Sequence, residues 1–153
     1  MDLVLVKTIP ENLNLRSIEE AVRSFIDEIK LPANPDGVYQ QTIDTIGHSL
    51  IFGARDTDIW LGIDNGSVKA YLIARIVKDI DNSFCYWISQ AWLHPDHRNN
   101  GFLIKYWQTM KDHAKRLMCK NLIFVSTRMG ESWDKLLAEN FSVYATLLKT
   151  ELN

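Results

Sequence analysis

The chain has 153 residues, of which 46% are hydrophobic and 24% are charged, as is usual for a folded protein with one core. This composition excludes disordered and collagen-like chains. The formal net charge of -2 excludes a globally basic surface, so nucleic acid is not an expected partner. No repeat or Gly/Ser/Pro-rich linker divides the sequence, which predicts a single domain over residues 1–153.

The start of the chain and its cysteines predict a cytoplasmic protein. Asp2 stands where a secretion signal would be positively charged, and no apolar stretch reaches membrane-spanning length. Cys85 and Cys119 have neither a CxxC spacing nor the spacing of metal ligands. We therefore expect buried reduced thiols, and neither a disulfide framework nor a zinc site. A homodimer is compatible with the sequence, which does not specify the oligomeric state.

The N-terminal third predicts one short strand followed by two helices. The strand is predicted from Leu3 to Lys7, and Ser17 and Glu20 have the spacing of a capping box that opens the first helix. This helix is predicted to end before Pro32. Asn34, with the proline that follows it, is predicted to begin the second helix. The buried face of the first helix is predicted to consist of Ile18, Ala21, Val22, Phe25, Ile26 and Ile29.

The middle of the chain predicts an antiparallel meander, because the apolar period changes to two. Ile59–Ile63 and Val68–Val77 flank the pair Asn65-Gly66, which is the strongest short-range signal for a hairpin. After a second turn, apolar residues alternate along a third strand that ends at Leu93.

The following segments predict a βαβ unit and then a closing helix and strand. An amphipathic helix is predicted from Gly101 to Met118, and a strand from Leu122 to Val125. Such a crossover makes its two strands parallel, so the sheet is mixed. A short helix around Trp133–Ala138 and a last strand around Phe141–Leu148 complete the predicted α/β fold.

The turn from Leu93 to Leu103 has the chemistry to bind an anion. It joins a strand to a helix without a long loop, and the first N–H groups of a helix attract phosphates. Gly101 removes a side chain where a phosphate could approach the backbone, and Arg98 adds a charged donor. An ordinary capped turn is the alternative, because short glycine motifs recur by chance.

This turn resembles the pyrophosphate-binding motif of the GNAT superfamily of N-acetyltransferases, Arg/Gln-x-x-Gly-x-Gly/Ala after a strand ending near Val-x-Pro. The residues Arg98-Asn99-Asn100-Gly101-Phe102-Leu103 and Leu93-His94-Pro95 occupy those positions. The predicted order of elements also follows the family's order across nearly the whole chain. The resemblance implies a GNAT-like fold whose two parallel strands splay apart. It also implies acetyl-coenzyme A as co-substrate and acetyl transfer to an amine of unknown identity.

The same resemblance implies a role for individual site residues. Main-chain groups of Trp92 and Leu93 would pair with the pantetheine, and the Leu93 N–H would polarise the acetyl carbonyl as the oxyanion donor. The side chain of Trp92 would line the acceptor pocket. The pyrophosphate would be held by Arg98, Asn99, Asn100, Gly101, Phe102 and Leu103.

Three features depart from the family pattern. Leu103 stands where the family usually has glycine or alanine, and its side chain would either crowd the ligand or point inward. The frequent general-acid tyrosine falls at Leu136, and Ser89 and Gln90 occupy the strand positions where many members carry a glutamate base. Tyr144 is a candidate substitute acid, or else a half-buried aromatic of the last strand. The alternative function is a silent GNAT-fold module that binds coenzyme A or a protein partner.

The histidines and the basic residues allow two interpretations each. His94, His97 and His113 suggest a metal only weakly, because nothing completes a familiar ligand spacing, and solvated or capping roles are expected instead of a metal site. The basic face of the third helix and of its end is solvated by default, and in the family-like arrangement part of it would also flank the cofactor and attract its phosphates. It consists of Lys105, Lys111, Lys115, Arg116 and Lys120.

Overall fold

The computed structural model describes residues 1–29, 34–53, 56–98 and 101–124. In these ranges the strands are β1 (Leu3–Val6), β2 (Asp58–Asp64), β3 (Ser67–Lys78), β4 (Phe84–Leu93) and β5 (Asn121–Phe124). The helices are α1 (Leu15–Ile29), α2 (Pro35–Phe52) and α3 (Phe102–Arg116), with one turn of 3-10 helix at Pro95–His97. The predicted closing helix and strand, with Trp133, Leu136 and Tyr144, lie outside the described residues.

The described strands form a five-stranded sheet in the order β1-β2-β3-β4-β5. The first three pairings are antiparallel, and β4 and β5 are parallel. Asn65 and Gly66 have φ of 49° and 74°, as a type I′ hairpin turn requires. The predicted mixed α/β fold is therefore confirmed, with α3 as the crossover between the parallel strands.

The predicted capping box at the start of α1 is wrong. The helix begins at Leu15, because Asn14 takes the capping place and accepts the N–H of Arg16 at 3.2 Å. Ser17 is 4% exposed and points toward the sheet. Its hydroxyl donates to Asn14 O at 2.6 Å and accepts the N–H of Val68 at 2.8 Å. Ser17 thus joins α1 to β3.

The ends of the other helices lie close to the positions predicted from the sequence. Asn34 caps α2 by accepting the N–H of Gly37 at 2.9 Å, and Pro35 is the first helical residue, as predicted. The C-terminus of α3 lies at Arg116, two residues earlier than predicted, since Met118 adopts a φ of 58° that no α-helix continues. None of the helices in the described ranges has the length and apolar character needed to cross a membrane.

The core has two layers, one on each face of the sheet. On one face α1 and α2 pack against residues such as Tyr71, Ile73 and Trp92, while on the other α3 packs against Leu72 and Tyr86. Successive residues of β3 thus point into opposite layers, as a strand requires. The buried aromatic residues of these layers include Trp60, Trp92 and Trp107, each at most 6% exposed.

Candidate functional site

The C-terminal half of β4 extends beyond its described pairing with β5. The parallel pairing joins Cys85–Ile88 to Asn121–Phe124, whereas β4 continues to Leu93. A bulge separates the two halves of β4, because Ile73 pairs with Gln90 and Ala74 pairs with Ile88. Ser89 is the extra residue, and its hydroxyl donates to Ile73 O at 3.2 Å. Bulges of this kind re-aim a strand next to a site.

The main chain of Leu93 faces the open side of β4. The N–H of His94 donates to Lys69 O at 2.8 Å, and alternate residues of an antiparallel pair point their main-chain groups at the partner strand. Leu93, opposite Ala70, therefore directs its N–H and C=O away from β3, toward the side on which β5 lies. Trp92 directs its main-chain groups toward β3, which does not support the expected main-chain contact of Trp92 with pantetheine.

The N-terminus of α3 presents main-chain donors near the end of β4. The first N–H groups of a helix have no acceptor within the helix, and they attract anions. Gly101 occupies the N-cap position with φ 75° and no side-chain hydrogen bond. A Cβ on Gly101 would meet no described atom within 4 Å, so the left-handed φ, and not a lack of space, is what favours glycine. Asn99 and Asn100 lie outside the described residues.

The side chains of Phe102 and Leu103 point toward the sheet. Leu103 packs against the core layer between α3 and the sheet, so the inward alternative is correct. Phe102 is 9% exposed, and its ring centroid lies 4.1 Å from that of Tyr106. Neither side chain therefore points to the place where an anion would bind at the helix N-terminus. The main-chain N–H groups remain available for that contact.

Arg98 contacts protein groups on two neighbouring elements. Its Nε donates to Leu93 O at 2.8 Å, and its Nη2 lies 2.6 Å from Glu28 Oε1 at the end of α1. The same carboxylate oxygen accepts the indole N–H of Trp92 at 3.2 Å. No local sequence pattern singles out Glu28, although an acidic residue in the last turn of a helix is unfavourable to the helix dipole.

Gln90, two residues before Trp92 in β4, forms hydrogen bonds within the protein core. Gln90 donates to Thr42 Oγ1 at 2.9 Å and accepts the hydroxyl of Tyr71 at 3.2 Å. Burial, with a smaller effect of the Glu28 charge, raises the pKa of Tyr71 far above its usual value, so this tyrosine stays neutral. Trp92 is 6% exposed, which leaves little of its surface to line an acceptor pocket.

The candidate histidines His94 and His97 lie together after β4, with ring centroids 6.2 Å apart. His94 Nδ1 accepts the N–H of Asp96 at 3.3 Å and thereby caps the 3-10 turn. His113 lies on α3, where its Nε2 is 3.1 Å from Asp58 Oδ2. The part of the chain that the structure describes contains no cluster of three or more His, Cys, Asp or Glu suited to a metal ion.

Two of the basic side chains predicted to flank the cofactor form ion pairs. Lys105 Nζ lies 2.6 Å from Asp2 Oδ1, and Lys120 Nζ lies 2.8 Å from Asp81 Oδ2. All four side chains are more than half exposed, so water competes with these contacts and each contributes little to stability. Both lysine side chains are therefore solvated, and their positive charge still adds to the local electrostatic potential.

Comparison with protein families identifies one match that covers most of the chain. The model of the acetyltransferase (GNAT) family matches residues 20–132. This range includes β2 to β5, α2, α3 and the turn between β4 and α3. No curated protein sequence matches the chain.

Solved structures of acetyltransferases resemble the whole chain at low identity. A ribosomal-protein-alanine N-acetyltransferase from Brucella melitensis biovar Abortus is 14% identical, with a TM-score of 0.63 and coverage of 100% of this chain and 99% of that chain. The aminoglycoside N-acetyltransferase AAC(6')-Iy in complex with CoA is 13% identical, with a TM-score of 0.66 and coverage of 99% and 93%. A predicted acetyltransferase with acetyl-CoA from Clostridium acetobutylicum is 14% identical, with a TM-score of 0.68 and coverage of 98% and 96%. At these identities the likeness shows the fold.

Proposed function

Because the chain belongs to the GNAT acetyltransferase family, we propose that it transfers the acetyl group of acetyl-coenzyme A to a primary amine, as a single domain over residues 1–153. The observation that carries the proposal is the presence of two kinds of main-chain donor at one edge of the sheet. Leu93 directs its N–H to the open side of β4, and the glycine-capped N-terminus of α3 follows shortly afterwards.

The cofactor would bind through main-chain groups along this edge. The pyrophosphate would accept N–H groups from the segment 98–103, where Gly101 gives it access to the backbone and Leu103 leaves the space open. The pantetheine would lie along the open side of β4, beyond the pairing with β5. The solved neighbours that contain CoA or acetyl-CoA support this choice of co-substrate.

The chemistry is an attack of the neutral amine on the thioester carbonyl carbon. A C–N bond forms, the carbonyl oxygen becomes an oxyanion that accepts the Leu93 N–H, and the C–S bond then breaks. Coenzyme A leaves as a thiolate, and the proton released by the amine reaches it through water or through an acid. Tyr144, outside the described residues, is the proposed acid.

The two cysteines argue for direct transfer without an acetyl-enzyme. Burial, above all, raises the pKa of both the Cys85 and the Cys119 thiols. A thiol with a raised pKa is a poor nucleophile at neutral pH because the thiolate is the reactive form. Neither cysteine therefore has the properties of an activated nucleophile.

A module that binds coenzyme A without turnover is the second candidate. The observation that favours it is that Ser89 and Gln90 are both held in structural hydrogen bonds, at positions where a general base would be useful. Under this alternative, the same cofactor site would form and no acetylated product would appear.

A screen for acetylated products separates the two candidates. The full chain is incubated with acetyl-coenzyme A and a panel of amines of different pKa, and products are detected by mass spectrometry. We expect turnover that rises with pH as each acceptor amine loses its proton, so that the apparent pKa of the rate follows the acceptor. Tight cofactor binding with no product from any acceptor would favour the binding module.

A further inference from the structure

We propose that Arg98 and Glu28 form a positioning pair that fixes the main chain of Leu93, and that the Arg98 side chain does not bind the phosphates of the cofactor. The inference rests on the proposed function, because Leu93 is the proposed oxyanion donor. It assigns a role to Glu28 and replaces the cofactor contact expected for the Arg98 guanidinium with a contact to the protein.

The first step of the argument is the geometry of the guanidinium. Arg98 uses Nε for Leu93 O at 2.8 Å and Nη2 for Glu28 Oε1 at 2.6 Å. A guanidinium is a rigid planar fork, so two contacts at different nitrogens fix its plane as well as its position. A lysine at the same place would present a single charged nitrogen without this fork.

The second step concerns what the guanidinium holds. The N–H and C=O of one strand residue point to the same side of the strand. A bond to Leu93 O therefore fixes the orientation of the residue whose N–H faces the open side of β4. An oxyanion donor is effective when it is held in place before the reaction. The Arg98 contact provides this restraint through the main-chain oxygen of Leu93.

The third step is the anchoring of Glu28. Its carboxylate accepts the indole N–H of Trp92, whose side chain is 6% exposed in the core. Glu28 lies 70 residues from Arg98 in sequence and on another element, so the ion pair ties α1 to the turn that precedes α3. The Glu28 and Arg98 side chains are 24% and 36% exposed, which limits the screening of this pair by solvent.

The fourth step weighs the alternative use of Arg98. To contact the pyrophosphate through Nη2, the guanidinium would have to leave Glu28 and rotate about the bond that it makes to Leu93. Doing so would break the contact with Glu28 and disturb the contact with Leu93 O. The main-chain N–H groups at the N-terminus of α3 can bind an anion while the contacts of Arg98 stay intact.

The test uses Glu28→Gln, Arg98→Ala, Arg98→Lys and the double variant Glu28→Gln/Arg98→Ala. Glu20→Gln is the matched control, because it removes the exposed Arg16–Glu20 pair from the same helix. Calorimetry measures coenzyme A binding, and NMR measures the carbonyl shift of acetyl-coenzyme A labelled with 13C at the acetyl carbonyl. The Leu93 amide signal of the free protein is recorded as well, together with the melting temperature of each variant.

We expect the variants to bind coenzyme A within about fivefold of the wild type, the range of a modest ion pair. In Glu28→Gln and Arg98→Ala the Leu93 amide signal should move, and the carbonyl shift of bound acetyl-coenzyme A should return toward the value of the free thioester. Arg98→Lys should lie between these variants and the wild type. The double variant should equal Arg98→Ala, because Glu28 acts through Arg98, and Glu20→Gln should match the wild type.

The proposal would be overturned if Arg98→Ala weakened coenzyme A binding by more than about tenfold, as the loss of a charged phosphate contact predicts, while Glu28→Gln strengthened it. An unchanged Leu93 amide signal in all variants would also overturn it. Absence of cofactor binding in the wild type would instead refute the proposed function, and the amide signal of the free protein would still decide whether the pair positions Leu93. Where Arg98→Ala fails to fold, Arg98→Lys provides the same comparison.

Discussion

At the scale of single residues, Gly101 is where backbone conformation matters most. Its φ of 75° is left-handed, and a Cβ there would have open space among the described residues. We predict that Gly101→Ala lowers the free energy of unfolding by about 1 kcal/mol, because alanine resists this conformation. Gly101→Asn is the matched control and should cost less, since asparagine tolerates left-handed φ. Urea unfolding of both variants measures the difference, and equal losses would contradict a conformational cause.

A second residue-scale feature is the carboxylate of Asp58, whose side chain is 15% exposed. Burial raises its pKa, but hydrogen bonds from Lys7, Tyr86 and His113 together outweigh burial, so the pKa lies below its usual value of 3.8. The contacts with these groups measure 2.7, 2.9 and 3.1 Å. A carboxyl whose pKa is lowered by folding stabilises the protein above its unfolded pKa, and this contribution is lost as the pH falls through the folded pKa.

We therefore predict that Asp58→Asn loses about 2 kcal/mol of stability at pH 7, as expected for hydrogen bonds to a charged group. The stability of the wild type should fall between pH 5 and 2, and that of Asp58→Asn should fall less over the same interval. Asp81→Asn is a control that removes an exposed carboxylate paired with Lys120. Denaturant unfolding across this pH range tests the prediction, and parallel curves for the wild type and Asp58→Asn would disprove it.

At the scale of elements, one buried hydroxyl adds hydrogen bonds to the apolar packing between α1 and β3. Ser17 Oγ donates to Asn14 O and accepts the N–H of Val68. We predict that Ser17→Ala costs about 1–3 kcal/mol, because the buried N–H of Val68 loses its acceptor. Thr45→Ala is the matched control, since the Thr45 hydroxyl donates a solvent-exposed hydrogen bond to Gln41 O within α2. Comparable stability losses in the two variants would show that the bridge contributes nothing.

The elements themselves follow from sequence patterns, and the exceptions have physical reasons. Alternation and the Asn65-Gly66 turn were sufficient to predict the meander, because period and turn chemistry are local. The capping box at Ser17 was wrong because a buried serine at the sheet surface and a capping serine look alike in sequence. The bulge at Ser89 depends on the pairing of β3 with β4, which no local pattern contains.

The candidate site could be predicted in part for the same reason. Gly101 and the turn before α3 form a local motif, and the structure places them at a helix N-terminus. The contact of Arg98 with Glu28 joins residues 70 apart, so only the folded chain brings them together. The sequence left two orientations open for the Leu103 side chain, toward the ligand or inward. In the structure this side chain packs in the core layer between α3 and the sheet, so it points inward.

At the scale of the whole molecule, the sheet separates a layer formed by α1 and α2 from a layer formed by α3. The turn from β4 to α3 crosses between these layers at one edge, where the Arg98–Glu28 pair connects it back to α1. A cofactor bound at this edge would contact β4 and α3 together and stabilise their arrangement. Binding should therefore raise the stability of the domain as a whole.

Thermal unfolding with acetyl-coenzyme A, in the wild type and in Gly101→Val, tests this account most directly. At about a hundred times the dissociation constant the cofactor should add ~2.7 kcal/mol to the wild type, which corresponds to a melting-temperature rise of roughly 5 to 11 °C. Gly101→Val should fold, at a lower melting temperature of its own, and show no rise, because a branched side chain blocks the backbone donors. No rise in the wild type, or the same rise in both proteins, would contradict a cofactor site at this turn.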